Sequence, residues 1–404
     1  MKLVGISIYN MHIPFKKGYA HDADRWQYGD SVVVRVCSED GSVGYGECKP
    51  KKNLTGETVS NVTEYIADIL WPSIEMQSLP IEDNPQLGYK AFEGIQSLLP
   101  DFPVPDVLTW NSARAAVELA IIDCFLRAKG RSIVEYIQPK QTALEYSATI
   151  TARDPVKIAS LAKEYYEAGR SCLRLKINDD YKSQIEALYD VVDKDKISLH
   201  LDANGCFDLT AAIKACNEIY ANYPVEAIED PIPRGDIRDL KVLSQETSMP
   251  LMLDDWIISQ SDADAVIENI DKGILYLKVS KNGGLISTLA IAEKAMKAGF
   301  SIGVGSHIGE TGLLSAVGRN VAAYLGSCKY VAGSASSSRL VQDIVQEEVS
   351  IDGNGYGAPF LGLGLGVSTS DVYLEKFSAQ KLYLGQDVSP SSIHSDQAEY
   401  DRAF

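Results

Sequence analysis

Seven short apolar runs recur between residues 144 and 306, each followed by a stretch of helical periodicity: LEYSATI, CLRLKI, SLHLDA, VEAIED, PLMLDD, ILYLKVS and SIGVGS. A strand and helix unit repeated at intervals of roughly 25 residues buries its strands on both faces of a parallel sheet, closed into a barrel or doubly wound. No GxGxxG or GxxxxGK[ST] pattern follows any of these strands, which counts against a nucleotide-binding sheet. YVAGSAS, after the seventh run, is the candidate for a last barrel strand.

Ahead of the repeat the rhythm is different. LVGISIYN, SVVVRVCS and VGYGEC alternate like strands, the last two joined through Asp40 and Gly41 as a hairpin. Thr58 to about Leu99 reads as helical, and TWNSARAAVELAIIDCFLRAKG is the strongest helix of the chain, with Asn111 or Ser112 as its cap and Gly130 as its stop. Beyond Leu340 come the glycine-rich GNGYGAPFLGLGLGV and a polar stretch, 388 to 404, expected to be a mobile tail or a surface strap. A chain of 404 residues calls for one large domain and a smaller one. It has no run of 18 apolar residues and no signal-like apolar core at its start, so a cytoplasmic protein without membrane contact is expected. The seven cysteines are scattered without a CxxC, which indicates neither a zinc cluster nor a disulfide framework. A formal charge of -17 repels nucleic acid and favours a small-molecule partner.

The chemistry sits at the ends of the strands. Four consecutive runs end in charge: Lys176 in LRLKI, Asp202 in LHLDAN, Glu229 in AIEDP and Asp254 in MLDDW. Barrels build their sites at the C-terminal ends of strands. Asp202 and Glu229 are 27 residues apart and Glu229 and Asp254 25, one unit each, so three carboxylates from neighbouring strands converge. Taken singly, each acid would more simply cap the helix after its strand. In register, without sulfur or histidine, the three suit a hard oxygen-preferring ion, Mg2+ first and Mn2+ second. Strand alternation turns Leu173 and Leu175 toward the helices and sends Arg174 and Lys176 into the barrel; Leu275, Leu277 and Val279 face out and Lys278 faces in. Two inward lysines are either counter-ions for the acids or, with a lowered pKa beside a metal and an arginine, bases.

Together these pieces resemble the enolase superfamily, specifically its muconate lactonizing enzyme subgroup. The matching motifs are YGEC near residue 45, ARAAVELAIIDCFLRAKG, LRLK, LDAN, IEDP, LDD, LKVSKNGG and GLGLGV, spread over nearly the whole chain. The resemblance implies a (β/α)7β TIM-like barrel with an α+β capping domain. Residues 1–128 would form the cap, 129–339 the barrel, and 340–404 a segment packing back on the cap and ending in the polar tail. It implies Asp202, Glu229 and Asp254 as Mg2+ ligands, and Lys176 and Lys278 as acid/base catalysts on opposite faces of a carboxylate substrate. Lys278 stands 24 residues after Asp254, the family's usual interval. Asn204, Asp255 and Lys281, in the same motifs, are candidates for supporting the ligands or lining the substrate. Where the family usually has Lys-x-Lys, this chain has Arg174 before Lys176, a fixed cation that cannot itself take a proton. A homo-oligomer is the family-based expectation.

Removing a proton next to a carboxylate builds an enediolate whose added charge a Lewis acid stabilises. Return of a proton from the opposite lysine gives racemisation or epimerisation; loss of a β leaving group gives dehydration; the same intermediate run in the other sense serves cycloisomerisation. The expected activity is a racemase, epimerase or cycloisomerase acting on a small carboxylic acid. The alternatives are a lyase, a dehydratase of hydroxy acids or of a succinylbenzoate-like precursor, and a non-catalytic metal or carboxylate binder, against which the intact lysines and acids argue. Dipeptide epimerases of the subgroup carry Asp-x-Asp on the last strand for the substrate ammonium, whereas this chain has VAGSASSS, which disfavours a free dipeptide. In GSHIGET, His307 resembles the position of the catalytic histidine of mandelate racemases, but strand six offers Lys278 in place of its usual aspartate. His307 and Glu310 are therefore candidates either for lining the site or for loop hydrogen bonds. Two loops, 15 to 28 and 50 to 56, match the family's specificity loops. Their Lys16, Lys17, Lys51 and Lys52 offer charge to an anionic distal group, and Tyr19 or Trp26 a surface to an apolar one, although charged loop residues are more often simply solvated.

Overall fold

The computed structural model describes residues 1–16 and 27–386, so Lys17, Tyr19, Trp26 and the polar tail lie outside the described residues. Strands β1 (Leu3–Pro14), β2 (Tyr28–Ser38) and β3 (Val43–Cys48) form an antiparallel meander with the expected tight turn between the last two. The Asn111–Ala128 helix lies across this sheet and is buried on nearly every side, as its apolar sequence requires. It can come close to β3 because Gly44 and Gly46 have no side chain in its way: a Cβ on Gly44 would sit 2.1 Å from Cys124 N, and one on Gly46 2.1 Å from Ala116 O.

That helix is capped differently from the expectation. Neither Asn111 nor Ser112 supplies the capping side chain; Trp110 holds the N-cap position without one. Glu57, from the loop ahead of the Val59–Tyr65 helix, takes that role, accepting from Ser112 N–H at 2.8 Å and Ala113 N–H at 3.1 Å. A carboxylate here satisfies orphan donors and meets the positive end of the helix together. The Thr58–Leu99 stretch also differs. It breaks into Val59–Tyr65, a π turn at Ile66–Leu70, Trp71–Ile74, and a 3-10 run at Pro85–Leu98 kinked at Gly88. Pro72, Pro80 and Pro85 each remove a donor from the ladder that one continuous helix would need.

After a short β4 (Leu144–Glu145) come eight parallel strands: β5 (Ala148–Ile150), β6 (Cys172–Lys176), β7 (Ser198–Asp202), β8 (Ala227–Glu229), β9 (Leu251–Leu253), β10 (Ile274–Leu277), β11 (Ser301–Val304) and β12 (Cys328–Val331). A helix follows each of β5 to β11, from Pro155–Glu167 to Gly312–Leu325, which is the (β/α)7β order. The strands lie side by side in sequence order, and Ser147 N–H donates to the Val331 carbonyl at 2.8 Å, drawing the entrance of the first strand against the last. The last strand starts two residues before the expected YVAGSAS. Short β13 (Tyr356–Gly357) pairs with β4, and β14 (Ser378–Gly385) pairs antiparallel with β1, giving a cap sheet ordered β14-β1-β2-β3.

Buried carboxylates dock cap to barrel. Glu47 of β3 accepts from Thr311 N–H at 2.9 Å and Leu314 N–H at 3.0 Å, at the start of the Gly312–Leu325 helix. Glu118 accepts from Ile286 N–H at 3.1 Å, at the start of the Leu285–Lys297 helix. Among the described residues no helix is long and apolar enough to cross a membrane, and all seven cysteines are free thiols.

Candidate active site

Register assembles the charged row. Lys176 pairs with Asp202 and Asp202 with Glu229, each the last residue of its strand, while Asp254 directly follows β9 and Lys278 directly follows β10. In an eight-stranded barrel β6 and β10 are four places apart, half the circumference, so Lys176 and Lys278 rise from opposite sides. Asp202 and Glu229 are fully buried, and Asp254 and Lys278 nearly so.

The cations are shared out among the acids. Arg174 Nη2 donates to Asp202 Oδ2 at 2.7 Å and Glu229 Oε1 at 2.6 Å, and its Nε donates to Glu229 Oε2 at 2.9 Å. Lys176 Nζ donates to Asn204 Oδ1 at 2.6 Å and lies 3.4 Å from Asp202 Oδ2. Asn204 holds a positive φ of 46° and donates its N–H to Asp202 Oδ1 at 3.0 Å, so it joins the row from behind. Lys278 Nζ pairs with Asp254 Oδ2. Lys281 is buried against the other oxygen of Asp254 at 2.8 Å and against the Tyr276 carbonyl at 2.8 Å, which makes it a holder of Asp254.

The electrostatics follow from these contacts. Burial opposes ionisation of Asp254, but Lys278 and Lys281 outweigh it and hold the carboxyl well below the usual range. Burial likewise pushes the Lys278 ammonium down, yet Asp254 and Glu229 prevail and raise it. The carboxylate in direct contact thus overcomes Arg174, whereas the lowered value expected of Lys278 belongs to a site that holds a metal beside it. Glu229 goes up to about 8, by burial first; Arg174 opposes the rise, and the crowding Asp202 and Asp254 add to it.

This donor set fits a hard divalent cation. Its groups are all carboxylate oxygens, they are buried, and like charge is crowded where one more positive charge would be favourable. Among the described residues, one oxygen each of Glu229, Asp230 and Asp254 lie within 4.8 Å of one another. Asp230 was not an expected ligand, and its oxygens already accept from Asp254 N–H at 3.0 Å and Asp255 N–H at 2.8 Å, so it shapes the turn that presents Asp254. Asp202, an expected ligand, is turned toward Arg174.

Tyr276 fills the barrel beneath the row, with Lys278 Nζ 5.5 Å and the Arg174 guanidinium 5.9 Å from its ring centroid. It fits because Gly303 and Gly305 face it: a Cβ on either would come within 2.4 or 2.6 Å of the ring. The sequence reading missed this residue, although the alternating glycines of SIGVGS were the available sign.

At the rim, His307 is buried and its main-chain N–H donates to the Glu310 carboxylate, so the pair makes a loop hydrogen bond while lying beside Lys278 and Lys51. Burial, then those two ammoniums, hold the imidazole well below its ordinary pKa, and its Nδ1 has no hydrogen-bond partner among the described residues. Burial pushes Glu310 up to about 8. Asp255 is half-buried and raised, by burial and then by Asp254. Trp26 lies outside the described residues. Lys49, which was not among the expected site residues, is buried with its Nζ on the Asp30 carbonyl.

Comparison with known proteins adds to this geometry. The model of the family described as Enolase C-terminal domain-like matches residues 157–372, more than half of the chain. The L-Ala-D/L-Glu epimerase of Bacillus subtilis is 27% identical over 313 residues, covering 76% of this chain and 81% of the relative. The crystal structure of N-succinyl Arg/Lys racemase from Bacillus cereus superposes with a TM-score of 0.80 at 21% identity, covering 95% of this chain and 100% of that one. Muconate lactonizing enzyme from Klebsiella pneumoniae does so with a TM-score of 0.79 at 22% identity, over 94% and 100%. At those identities the two structures speak for the barrel and cap fold.

Proposed function

The chain belongs to the enolase C-terminal domain-like family, and from that premise we propose that it is a metal-dependent racemase or epimerase that moves the proton on the carbon next to a small substrate's carboxylate. The observation that carries this reading is the pair of lysines rising from opposite sides of a buried acid row. The named Bacillus subtilis relative, an epimerase, supports the same reaction class.

Asp202, Glu229 and Asp254 would hold the cation, Mg2+ or Mn2+, which when bound supplies Lewis-acid stabilisation of the substrate carboxylate. Asp254, once committed to the cation, would release the Lys278 ammonium that it otherwise keeps charged. Lys278 can then take the α proton from one face while Lys176 delivers a proton to the other, leaving the carbon with inverted configuration. Arg174 stays charged under burial because Asp202 and Glu229 outweigh it, so it fixes the acid row without exchanging protons. Lys281 and Asp230 keep Asp254 in place from behind. Asn204 orients the Lys176 ammonium.

The test is incubation of single-enantiomer N-acyl amino acids and hydroxy acids with the protein and Mg2+ in D2O, following mass and optical rotation. The expected result is gain of one deuterium with loss of rotation. Loss of the mass of water would replace the reading with a dehydratase, and absence of change with every acid would leave a binder.

A further inference from the structure

One side chain holds two of the three expected cation ligands at once. Arg174 points into the barrel from β6, and its guanidinium spans β7 and β8. Nη2 donates to Asp202 Oδ2 at 2.7 Å and Glu229 Oε1 at 2.6 Å, while Nε donates to Glu229 Oε2 at 2.9 Å. Only 13% of the Arg174 side chain is exposed, and the Tyr276 ring lies against it. A forked contact of this kind fixes direction as well as distance, and the charge of an arginine is permanent.

Asp202 bears the consequence. Its Oδ2 takes Arg174 and lies 3.4 Å from Lys176 Nζ, and its Oδ1 accepts from Asn204 N–H at 3.0 Å, so both oxygens are engaged. Among the described residues, the oxygens that converge within 4.8 Å belong to Glu229, Asp230 and Asp254, and not to Asp202. A carboxylate oxygen has two lone pairs, so Glu229 can keep Arg174 and still face a cation. Asp202 has to turn. Its backbone is already in place, since β7 and β8 pair Asp202 with Glu229 as strand ends, and rotation of one short side chain decides which partner it meets.

The guanidinium therefore has two opposed effects. Without it Asp202 and Glu229 would be buried with their charge uncompensated, and with it a dication has to settle beside a fixed positive charge. We propose that Arg174 is a positioning residue that competes with the divalent cation for Asp202. It keeps the acid row paired in the metal-free protein, and the cation gains its third ligand only as Asp202 changes partner. The same change leaves the Lys176 ammonium with Asn204 as its partner, free of Asp202. This rests on the reading of Asp202, Glu229 and Asp254 as cation ligands given above, and it makes the affinity for the cation a property of Arg174.

The experiment titrates Mg2+ into the full chain by calorimetry, at a pH above the value of about 8 that Glu229 takes, so that protons compete little for the acids. The wild type is compared with Arg174→Gln, Arg174→Met and Arg174→Lys, and the Tm of each is measured in EDTA and in Mg2+. Both neutral variants should bind Mg2+ at least about tenfold more tightly than the wild type. In EDTA they should melt below it, and their rise in Tm on adding Mg2+ should be the larger, because tighter binding stabilises the folded state more. Arg174→Lys, which keeps the charge but not the fork, should tighten binding by about threefold. A neutral variant that folds only with Mg2+ present is the expected result in its strongest form. Equal or weaker binding in both neutral variants overturns the competition and makes Arg174 a support for the ligands. Should neither fold in either medium, unchanged or weaker binding in Arg174→Lys overturns it. Exchange of α protons in D2O is followed for the wild type in parallel. Exchange without tightening in the variants removes the role of Arg174 alone. Tightening without exchange of any acid leaves that role standing and removes the proton-transfer reading. Neither heat nor a rise in Tm with Mg2+ in any of the four proteins overturns both.

Discussion

The barrel mouth and the cap seam both bury carboxylates, and they answer them with different partners. At the mouth, Asp254 faces the ammoniums of Lys278 and Lys281 and is held well below the usual carboxylate range. Glu57 inside the cap and Glu118 at the seam face backbone N–H groups at helix starts, and burial pushes each up to about 7. Aligned N–H dipoles carry only a fraction of a unit charge, so they satisfy hydrogen bonds without recovering the full cost of burying an anion. Two ammoniums on Asp254 do recover it, whereas Glu229, whose Arg174 is shared with Asp202, still rises to about 8. Partners of these glutamates, and of Glu47, are main-chain N–H groups joined by short hydroxyls such as Ser112 Oγ and Thr311 Oγ1, which are held in place by the helix starts, and that suits docking. Partners at the mouth are flexible side chains that can give up a contact when substrate or cation arrives, which suits chemistry.

The largest way to break this contrast is at the mouth. Lys278→Ala should slow α-proton exchange by roughly a thousandfold, about 4 kcal/mol, for one substrate enantiomer, with Mg2+ affinity by calorimetry not weakened. Undiminished exchange in both enantiomers would remove Lys278 as the base.

Next comes the seam. Glu118→Ala should cost about 3 kcal/mol in urea unfolding, because it leaves a helix start without its acceptor. The same group sets a pH dependence. Its folded value of about 7 lies above the ordinary 4.5, so between those values the folded protein keeps a proton that the unfolded chain has released. Stability should therefore fall as pH rises from 4.5 to about 7 and then level, by on the order of 3 kcal/mol for this group. Glu118→Gln should flatten that slope; an unchanged slope would mean other groups produce it.

Mg2+ addition should stabilise the wild type by about 2.7 kcal/mol at a hundredfold excess over its Kd, read as a rise in Tm. The same addition to Glu229→Gln should do markedly less, and an equal rise in both would place the cation elsewhere. The smallest expected effect belongs to Arg174→Lys, which keeps the charge and loses the forked contact, at about 1 kcal/mol by urea unfolding.

Much of the mouth was legible because parallel strands repeat in register. Lys176, Asp202 and Glu229 occupy matching strand ends, and spacing alone aligns them. The seam was hidden for the opposite reason. Glu57 caps a helix that starts at Asn111, and Glu118 one that starts at Leu285, partnerships that no local pattern records. Asp230 escaped notice because its task, holding Asp254 N–H and Asp255 N–H, lies in backbone geometry at a positive φ of 40°. Strand alternation tells which way Lys278 points but not that Asp254 is the neighbour it touches first.

The pairing of β14 with β1 reaches back to how the protein is made. Gly5 finds one partner strand soon after synthesis, in β2, and waits for Gly385 before the other edge is covered. Until residues 378–385 have emerged from the ribosome, the apolar run LVGISIYNMHIP presents an open strand edge, the kind of surface that recruits other chains. A strand translated hundreds of residues before its partner β14 is thus finished only when that partner arrives. Chaperone dependence and loss of soluble yield on truncation before Ser378 should reflect that order of birth.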